Sequence, residues 1–309
     1  MADHAQPIAA PLPVVVAPPR MGVRRLVRSR SALSGGAIFA VIVAIGLLAP
    51  VLGTVDPARI DPVARNKTPG TERLVRSDDG TQRTVTYWMG TDSLGRDIYS
   101  RVLYGAQVSL IVGISVATFS AAIGLVIGLL AGYLRWLDNI AMRVMDGLMS
   151  IPAILLAIGL VSVSKAGLRS VILAIVIPEV PRVVRLVRSL VLSIREEPYV
   201  EAAVALGART PALLARHVLP NTLAPLIVQA TFVCASAIIV EAILSFLGVG
   251  IPPETPTWGN IMAEGRALFR VFPHNILFPG IFLAVTVLAV NMLGDGMRDM
   301  LDPRTRKQL

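Results

Sequence analysis

The sequence predicts an all-α polytopic membrane protein with six transmembrane helices and both termini in the cytoplasm. Three observations predict it. The chain is 54% hydrophobic and only 16% charged, well below the quarter that a soluble domain carries. Its apolar residues come in long charge-free blocks, giving a mean hydropathy of +0.68. A six-span threading leaves 17 basic residues inside against 12 outside, in the direction of the positive-inside tendency.

Residues 1–30 form the expected cytoplasmic tail. Its prolines prevent a stable helix over 1–19, no cleavable signal is evident, and five arginines within 20–30 hold the segment inside. Residues 31–55 carry no charge and give the first span, since about 20 apolar residues cross a bilayer. Polar residues 56–101 follow as an external loop or subdomain. The core, 102–297, holds the other five spans: the second in 102–134, the third in 147–164, the fifth in 218–240 and the sixth in 271–294. A cytoplasmic tail, 298–309, closes the chain. The fourth span has only nine charge-free residues, 170–178, before Glu179, Pro181 and the Arg182, Arg185, Arg188 series. It is inferred from topology, because without it six arginines would move outside. The three arginines are then expected at the membrane exit, snorkelling towards phosphates.

Gly124, Gly128 and Gly132 repeat every four residues, so they share a helix face where another helix can approach closely. Packing within one bundle and a subunit interface are both open. Cys234, the single cysteine, lies in an apolar run and reads as a packing residue.

Between the fourth and fifth spans, residues 195–221 interrupt the membrane pattern. Pro198 suits a first helical turn, and Glu196, Glu197 and Glu201 suit its positive end. Tyr199, Ala202, Ala203 and Leu206 predict a narrow apolar stripe, and Gly207 a left-handed stop. Thr210 and Pro211 read as N-cap and first residue of a second helix running to Val218, which Leu219-Pro220-Asn221 breaks. By spacing alone, the first helix fits either a partner's groove or the lipid surface.

Glu201-Ala202-Ala203, then Gly207, then Leu219-Pro220, resembles the EAA loop of binding-protein-dependent ABC importer permeases. His217 stands where the general pattern has isoleucine, and His-Val-Leu-Pro-Asn at 217–221 resembles the peptide branch. Three further stretches are similar to that branch: GTDSLGRDIYSRVLYGAQVSL (90–110), EAILSFLGVGIPPETPTWG (241–259) and NMLGDGMRDMLDPR (291–304). Together they cover about 22 to 307 and resemble the C-type permease subunit of the dipeptide/oligopeptide (peptide/nickel) family. Glu179 and Pro181 depart from it, in a region usually more apolar.

The resemblance implies a type I ABC importer permease fold in a bacterial inner membrane. It implies a heterodimer with a homologous B-type permease subunit, two ATPase domains or subunits that use ATP and Mg, and an external solute-binding protein that delivers peptide. Glu201, Ala202, Ala203, Leu206, Gly207, Leu219 and Pro220 are the expected ATPase-coupling residues. Asp92, Arg96 and Trp258 are candidates for external docking, though Asp92 and Arg96 also fit a role in fixing their loop. Glu241 is a candidate for the translocation path or for pairing between helices. Nickel chelates or another small solute remain an alternative cargo on the same architecture.

Other classes fit less well. No phosphate-binding loop, nucleophile elbow or zinc-protease pattern occurs, and no Cys/His spacing suggests a metal, so no catalytic residue and no bound cofactor is expected. Aromatics are 5% of residues, too few for base stacking, so the net charge of +9 argues for membrane topology rather than nucleic acid. A proton-coupled carrier would need an internal repeat and facing acids at membrane depth, and only Glu241, Glu179 and Asp146 are available.

Overall fold

The structure is a computed structural model that describes residues 30–76 and 82–301. All but Arg30 of the expected N-terminal tail, and 302–309 of the C-terminal tail, lie outside the described residues. Helix α1 (Arg30–Leu48) passes into a short 3-10 turn, Ala49–Val51, that begins around Pro50. A second such turn, Pro62–Ala64, starts where the Asp61 carboxylate accepts the Val63 amide at 3.1 Å.

The segment expected to be external then departs from the all-α expectation. Strands β1 (Thr71–Arg76) and β2 (Gln82–Tyr87) pair as an antiparallel hairpin, Thr71 opposite Tyr87 and Leu74 opposite Thr84. The Thr-Val-Thr-Tyr run at 84–87 is β-branched and aromatic, so it favours a pleated ribbon.

Helix α2 (Ile98–Tyr133) runs for 36 residues. Asp97 caps it by accepting the Ser100 amide at 2.8 Å, so it begins four residues before the expected span. Next come α3 (Arg135–Met149) and α4 (Ala153–Val163), bent by 88° from one another. The third span expected over 147–164 therefore takes in the end of α3 and the whole of α4, with a sharp bend between them. Pro152 stands at the bend as the N-cap of α4, and a proline there cannot extend α3. The 11 residues of α4 rise only about 16 Å, roughly half a bilayer core.

Helix α5 (Leu168–Ile194) runs unbroken for 27 residues, with Pro178 and Pro181 inside it. Its arginines do not all snorkel as expected. Arg188 clasps Asp138 of α3 through Nε and Nη2, Nη2 lying 2.7 Å from Oδ2, and Arg185 pairs with Asp146 of α3. Glu179 is buried and accepts the Ser236 hydroxyl at 2.9 Å.

After α6 (Pro198–Ala205) and α7 (Thr210–Leu213), a π turn at Leu214–Val218 leads into α8 (Leu219–Phe246). Arg209, not Thr210, is the N-cap of α7, and no side chain caps it. Leu219-Pro220-Asn221 does not break the chain either, and helix continues from Thr210 to Phe246. Pro220 has no N–H to give, and the wider turn absorbs the loss: the Leu219 amide reaches back five residues to Leu214, and the Asn221 side chain donates to the His217 carbonyl at 2.7 Å. Helices α9 (Trp258–Gly265) and α10 (His274–Leu301) complete the fold.

Among the described residues, four helices are long and apolar enough to cross a membrane: Arg30–Val51, Ile98–Tyr133, Thr210–Phe246 and His274–Met300. The bent α3–α4 pair makes a fifth if taken as one span. Helix α5 has the length but carries charges.

Glycine spacing decides how these helices meet. A Cβ added at Gly124, Gly128 or Gly132 would lie 2.6, 2.7 and 2.7 Å from the Cβ atoms of Val183, Val187 and Val191. The three glycines are thus notches on α2 that receive three valines of α5, and matching order along both chains makes the two helices parallel. Packing within the chain is their role. Cβ atoms at Gly113 of α2 and Gly35 of α1 would meet Ile238 of α8 and Leu293 of α10, each at 2.7 Å. Cys234 lies beside Gly113, buried as expected. Where lipid tails are as apolar as valine, close dispersion contact rather than exclusion of water drives such pairing.

These contacts fix the two ends of the bundle. Arg30, the C-terminal ends of α2 and α5, α6, and the last turns of α10 share one end. The hairpin, the start of α2, α9 and the start of α10 share the other.

Candidate functional site

At the first of those ends, α6 stands out from the bundle as a small knob. Its amide ladder ends in a Schellman arrangement: the Ala208 amide bonds the Ala203 carbonyl at 3.0 Å and the Gly207 amide that of Val204 at 2.9 Å. Gly207 takes φ +81°, the left-handed conformation expected of it, with no atom of the chain within 4 Å of an added Cβ. Eight helical residues cannot bury much, and the chain spends little on holding them. Val200 is buried, with Tyr199 and Ala203 partly so, whereas Glu201, Ala202, Ala205 and Leu206 face out. The predicted stripe of Tyr199, Ala202, Ala203 and Leu206 is therefore divided. Tyr199 and Ala203 turn inward beside Val200, and Leu206 is left 89% exposed.

Two contacts set the angle of the knob. The Tyr199 and His217 rings lie 6.2 Å apart, and the Asn221 amide donates to the Tyr199 hydroxyl at 3.2 Å. Partial burial and the Glu197 carboxylate push the Tyr199 phenol up. Beside α6 lies a hollow of about 510 Å³ lined by Tyr133, Arg195, Val200, Glu201, Val204, Ala205 and Leu213. Among the described residues, the Glu201 carboxylate has no partner within the chain. Leu219 and Pro220 sit apart from the knob, in the first turn of α8, where they shape the π turn rather than the exposed face. Val200 and Asn221 were missed by sequence reasoning. The one is a single apolar residue off the stripe, and the other reads only as part of a break.

At the opposite end the structure corrects the docking candidates. Asp92 and Arg96 are each 4% exposed and Trp258 is 0% exposed, so none of them presents a surface. Arg96 Nε donates to Asp92 Oδ2 at 2.7 Å, and its Nη2 pairs with Glu264 of α9. Arg101 reaches the same two carboxylates at 3.5 and 3.4 Å and the Asn260 carbonyl at 3.3 Å. Asp92 also accepts the Leu94 and Arg96 amides. The Trp258 indole donates to the Val102 carbonyl at 3.0 Å. Two cations and two carboxylates thus cancel in a largely buried cluster that fastens 92–101 to α9. Burial pushes the Glu264 carboxyl up, and the Arg101 and Arg96 guanidinium groups pull it back. Arg101, Asn260 and Glu264 went unrecognised, although an arginine opening a long apolar block needs a partner and so gave a signal. Exposed groups at this end include Leu74 and Trp88 of the hairpin and its approaches, and Phe269 and Val271 just before α10.

Glu241 is wholly buried in α8, facing α2 and α9. Its Oε1 accepts the Ser245 hydroxyl at 2.8 Å. It lines no open path in this structure, and no helix offers it a cation. Among the described residues no group of histidine, cysteine and carboxylate side chains could hold a metal ion.

Comparison with known proteins follows this geometry. A family model described as the binding-protein-dependent transport system inner membrane component matches residues 124–307, and one described as the N-terminal TM domain of oligopeptide transport permease C matches 19–69. A probable peptide ABC transporter permease protein of Sinorhizobium fredii is 51% identical over 93% of each chain. A dipeptide transport system permease protein of Alkalihalophilus pseudofirmus is 37% identical over 98% of this chain and 99% of its own. Among solved structures, a chain of the inward-facing MetNI methionine ABC transporter superposes with a TM-score of 0.54, at 20% identity, over 66% of this chain and 97% of its own. That likeness concerns the fold alone.

Proposed function

Because the chain belongs to the family of binding-protein-dependent transport system inner membrane components, and is thus a multi-pass inner-membrane permease of an ABC importer, we propose that it carries dipeptides and oligopeptides from an external binding protein into the cytoplasm. It crosses the membrane six times with both termini inside: α1, α2, the bent α3–α4 pair, α5, α8 and α10. It works beside a homologous B-type permease subunit and two ATPase domains or subunits, which bind and use ATP and Mg. This chain has no catalytic residue or cofactor of its own.

The observation that carries the reading is the lightly anchored knob at α6. A helix held by Val200, Tyr199 and Ala203, with Glu201, Ala202, Val204, Ala205 and Leu206 turned outward, offers a small face on which only Val204 and Leu206 carry apolar bulk. Such a face suits a groove in a partner better than a lipid surface, where bulk would be needed. On nucleotide binding the ATPases close, α6 moves with its seat, and the spans rock between inward- and outward-facing states. Glu201 meets a donor of the ATPase, Ala202 allows close approach, and Gly207 makes the turn. Glu241 serves as a helix-pairing residue, and docking of the binding protein falls to the exposed hairpin region rather than to Asp92, Arg96 and Trp258.

The test is purification in mild detergent with the neighbouring subunits, followed by uptake of labelled di- and oligopeptides in a deletion strain complemented with this chain. Peptide uptake with a co-purifying ATPase is the expected result. Uptake without any ATPase defeats the coupling, and uptake of only a metal chelate or another solute defeats the peptide assignment.

A further inference from the structure

The exposed residues of helix α5 fall on one stripe that changes character halfway along. Leu173 and Ile177 stand on it towards the hairpin end, then Arg182, Arg185, Ser189 and Ser193 towards the α6 end. The side chains of Arg182 and Arg185 are 55% and 46% exposed. Their depth follows from α2. Its exposed apolar residues run from Ile111 to Leu130, about 28 Å at 1.5 Å per residue, which matches a bilayer core. Gly124, Gly128 and Gly132 sit opposite Val183, Val187 and Val191, so Arg182, Arg185 and Ser189 lie within that band.

A charged group at that depth, open to its surroundings, faces water or a polar partner rather than lipid. Snorkelling does not free Arg182 either. Its Nη1 turns back towards the hairpin end, 3.3 Å from Oε2 of Glu179. Glu179 is buried, its Oε1 accepts the Ser236 hydroxyl of α8 at 2.9 Å, and its Oε2 accepts no hydrogen bond. Glu179, fixed to α8, thus holds the guanidinium by charge while leaving its N–H groups to donate elsewhere. Arg185 instead gives a donor to Asp146. Asp146, Arg143 and Arg188 line a hollow of about 680 Å³, so the polar face continues from Arg182 towards the α6 end.

We propose that Arg182 binds a carboxylate of the carried solute, on a water-filled passage that this half of α5 lines. A planar fork of N–H donors matches a carboxylate in shape as well as charge. The inference rests on the transport reading, which supplies the solute: every unblocked peptide ends in a carboxylate.

Thiol chemistry on the assembled transporter tests it, with Cys234→Ala as the background. In lipid nanodiscs, Arg182→Cys and Ser189→Cys should react with charged methanethiosulfonates, whereas Phe119→Cys and Val126→Cys on the apolar face of α2 should not. In ATP-driven peptide uptake by proteoliposomes, Arg182→Cys should be slower by roughly tenfold, the loss of one charge-assisted hydrogen bond. A trimethylammonium adduct made before reconstitution should restore much of the rate, a neutral methyl adduct should not, and a sulfonate adduct should lower it further. If Arg182→Cys fails to accumulate, Glu179→Gln/Arg182→Cys, which strands no buried charge, carries the same comparison. Thiols at 182 and 189 that stay unreactive while peptide uptake is normal put this face against a partner subunit; they overturn the inference and leave the transport reading standing. Rescue that ignores the sign of the adduct overturns it too. If the wild-type assembly takes up no peptide, the transport reading falls and the carboxylate site falls with it.

Discussion

Gly207→Asp separates the fold of the knob from its use. In the chain alone the substitution is cheap. Gly207 holds φ +81° with nothing within 4 Å of an added Cβ, so no clash arises and only backbone strain remains. That strain is roughly 1–2 kcal/mol for an L-residue, with aspartate among the types that best tolerate the left-handed region. A loss of 1 kcal/mol lowers Tm by about 2–4 °C in a domain of 150–250 residues, and by no more in a chain of this size. Membrane yield and the detergent melting curve should therefore stay close to wild type. Within the assembled transporter, the same side chain adds bulk and negative charge where a partner approaches, and ATPase stimulation and uptake should both vanish. Gly207→Ala carries the backbone strain without the charge and should keep a measurable fraction of both. Normal stimulation in Gly207→Asp refutes the coupling role. A melting curve that collapses by tens of degrees in both variants refutes the premise that the loop is unencumbered.

Other substitutions test the remaining architecture. Gly128→Val should cost about 1–3 kcal/mol by overpacking, since even its Cβ would sit 2.7 Å from Val187, and Val187→Ala should recover part of that in a detergent melt. Arg101→Met leaves Asp92 and Glu264 short of one cation and should lower stability by about 3–5 kcal/mol, whereas adding Glu264→Gln should restore some of it; additive losses would argue against a shared cluster. Asp97→Ala removes the cap on the Ser100 amide and should cost about 1 kcal/mol, visible as faster hydrogen exchange in the first turn of α2.

The sequence made the long uninterrupted helices legible because membrane crossing demands a length and a composition that nothing else in the chain imitates. Their close packing was legible too, in the four-residue spacing of Gly124, Gly128 and Gly132. What escaped were features set by tertiary context. Charge counting made α5 look too short, yet Asp138 and Asp146 of α3 pair with its Arg188 and Arg185, and Arg182 pairs with Glu179 of the same helix. Pro220 read as a break because local rules do not anticipate a wider turn that excuses its missing N–H. Pro152, by contrast, produced a real bend that hydropathy smoothed over. Asp92 and Arg96 looked like surface because charged loop residues usually are, and their partners lay more than 150 residues away or on the far side of a helix start.

The glycine notches carry one more implication. Helix α2, some 54 Å long at 1.5 Å per residue, reaches from the hollow beside α6 to the ionic cluster at Arg101. Val183, Val187 and Val191 cannot slide along it without first climbing out of their sockets, which makes α2 and α5 one lever. Under the proposed coupling, a push of an ångström or two at the α6 knob then arrives at the opposite end of the bundle as displacement rather than being dissipated along the way.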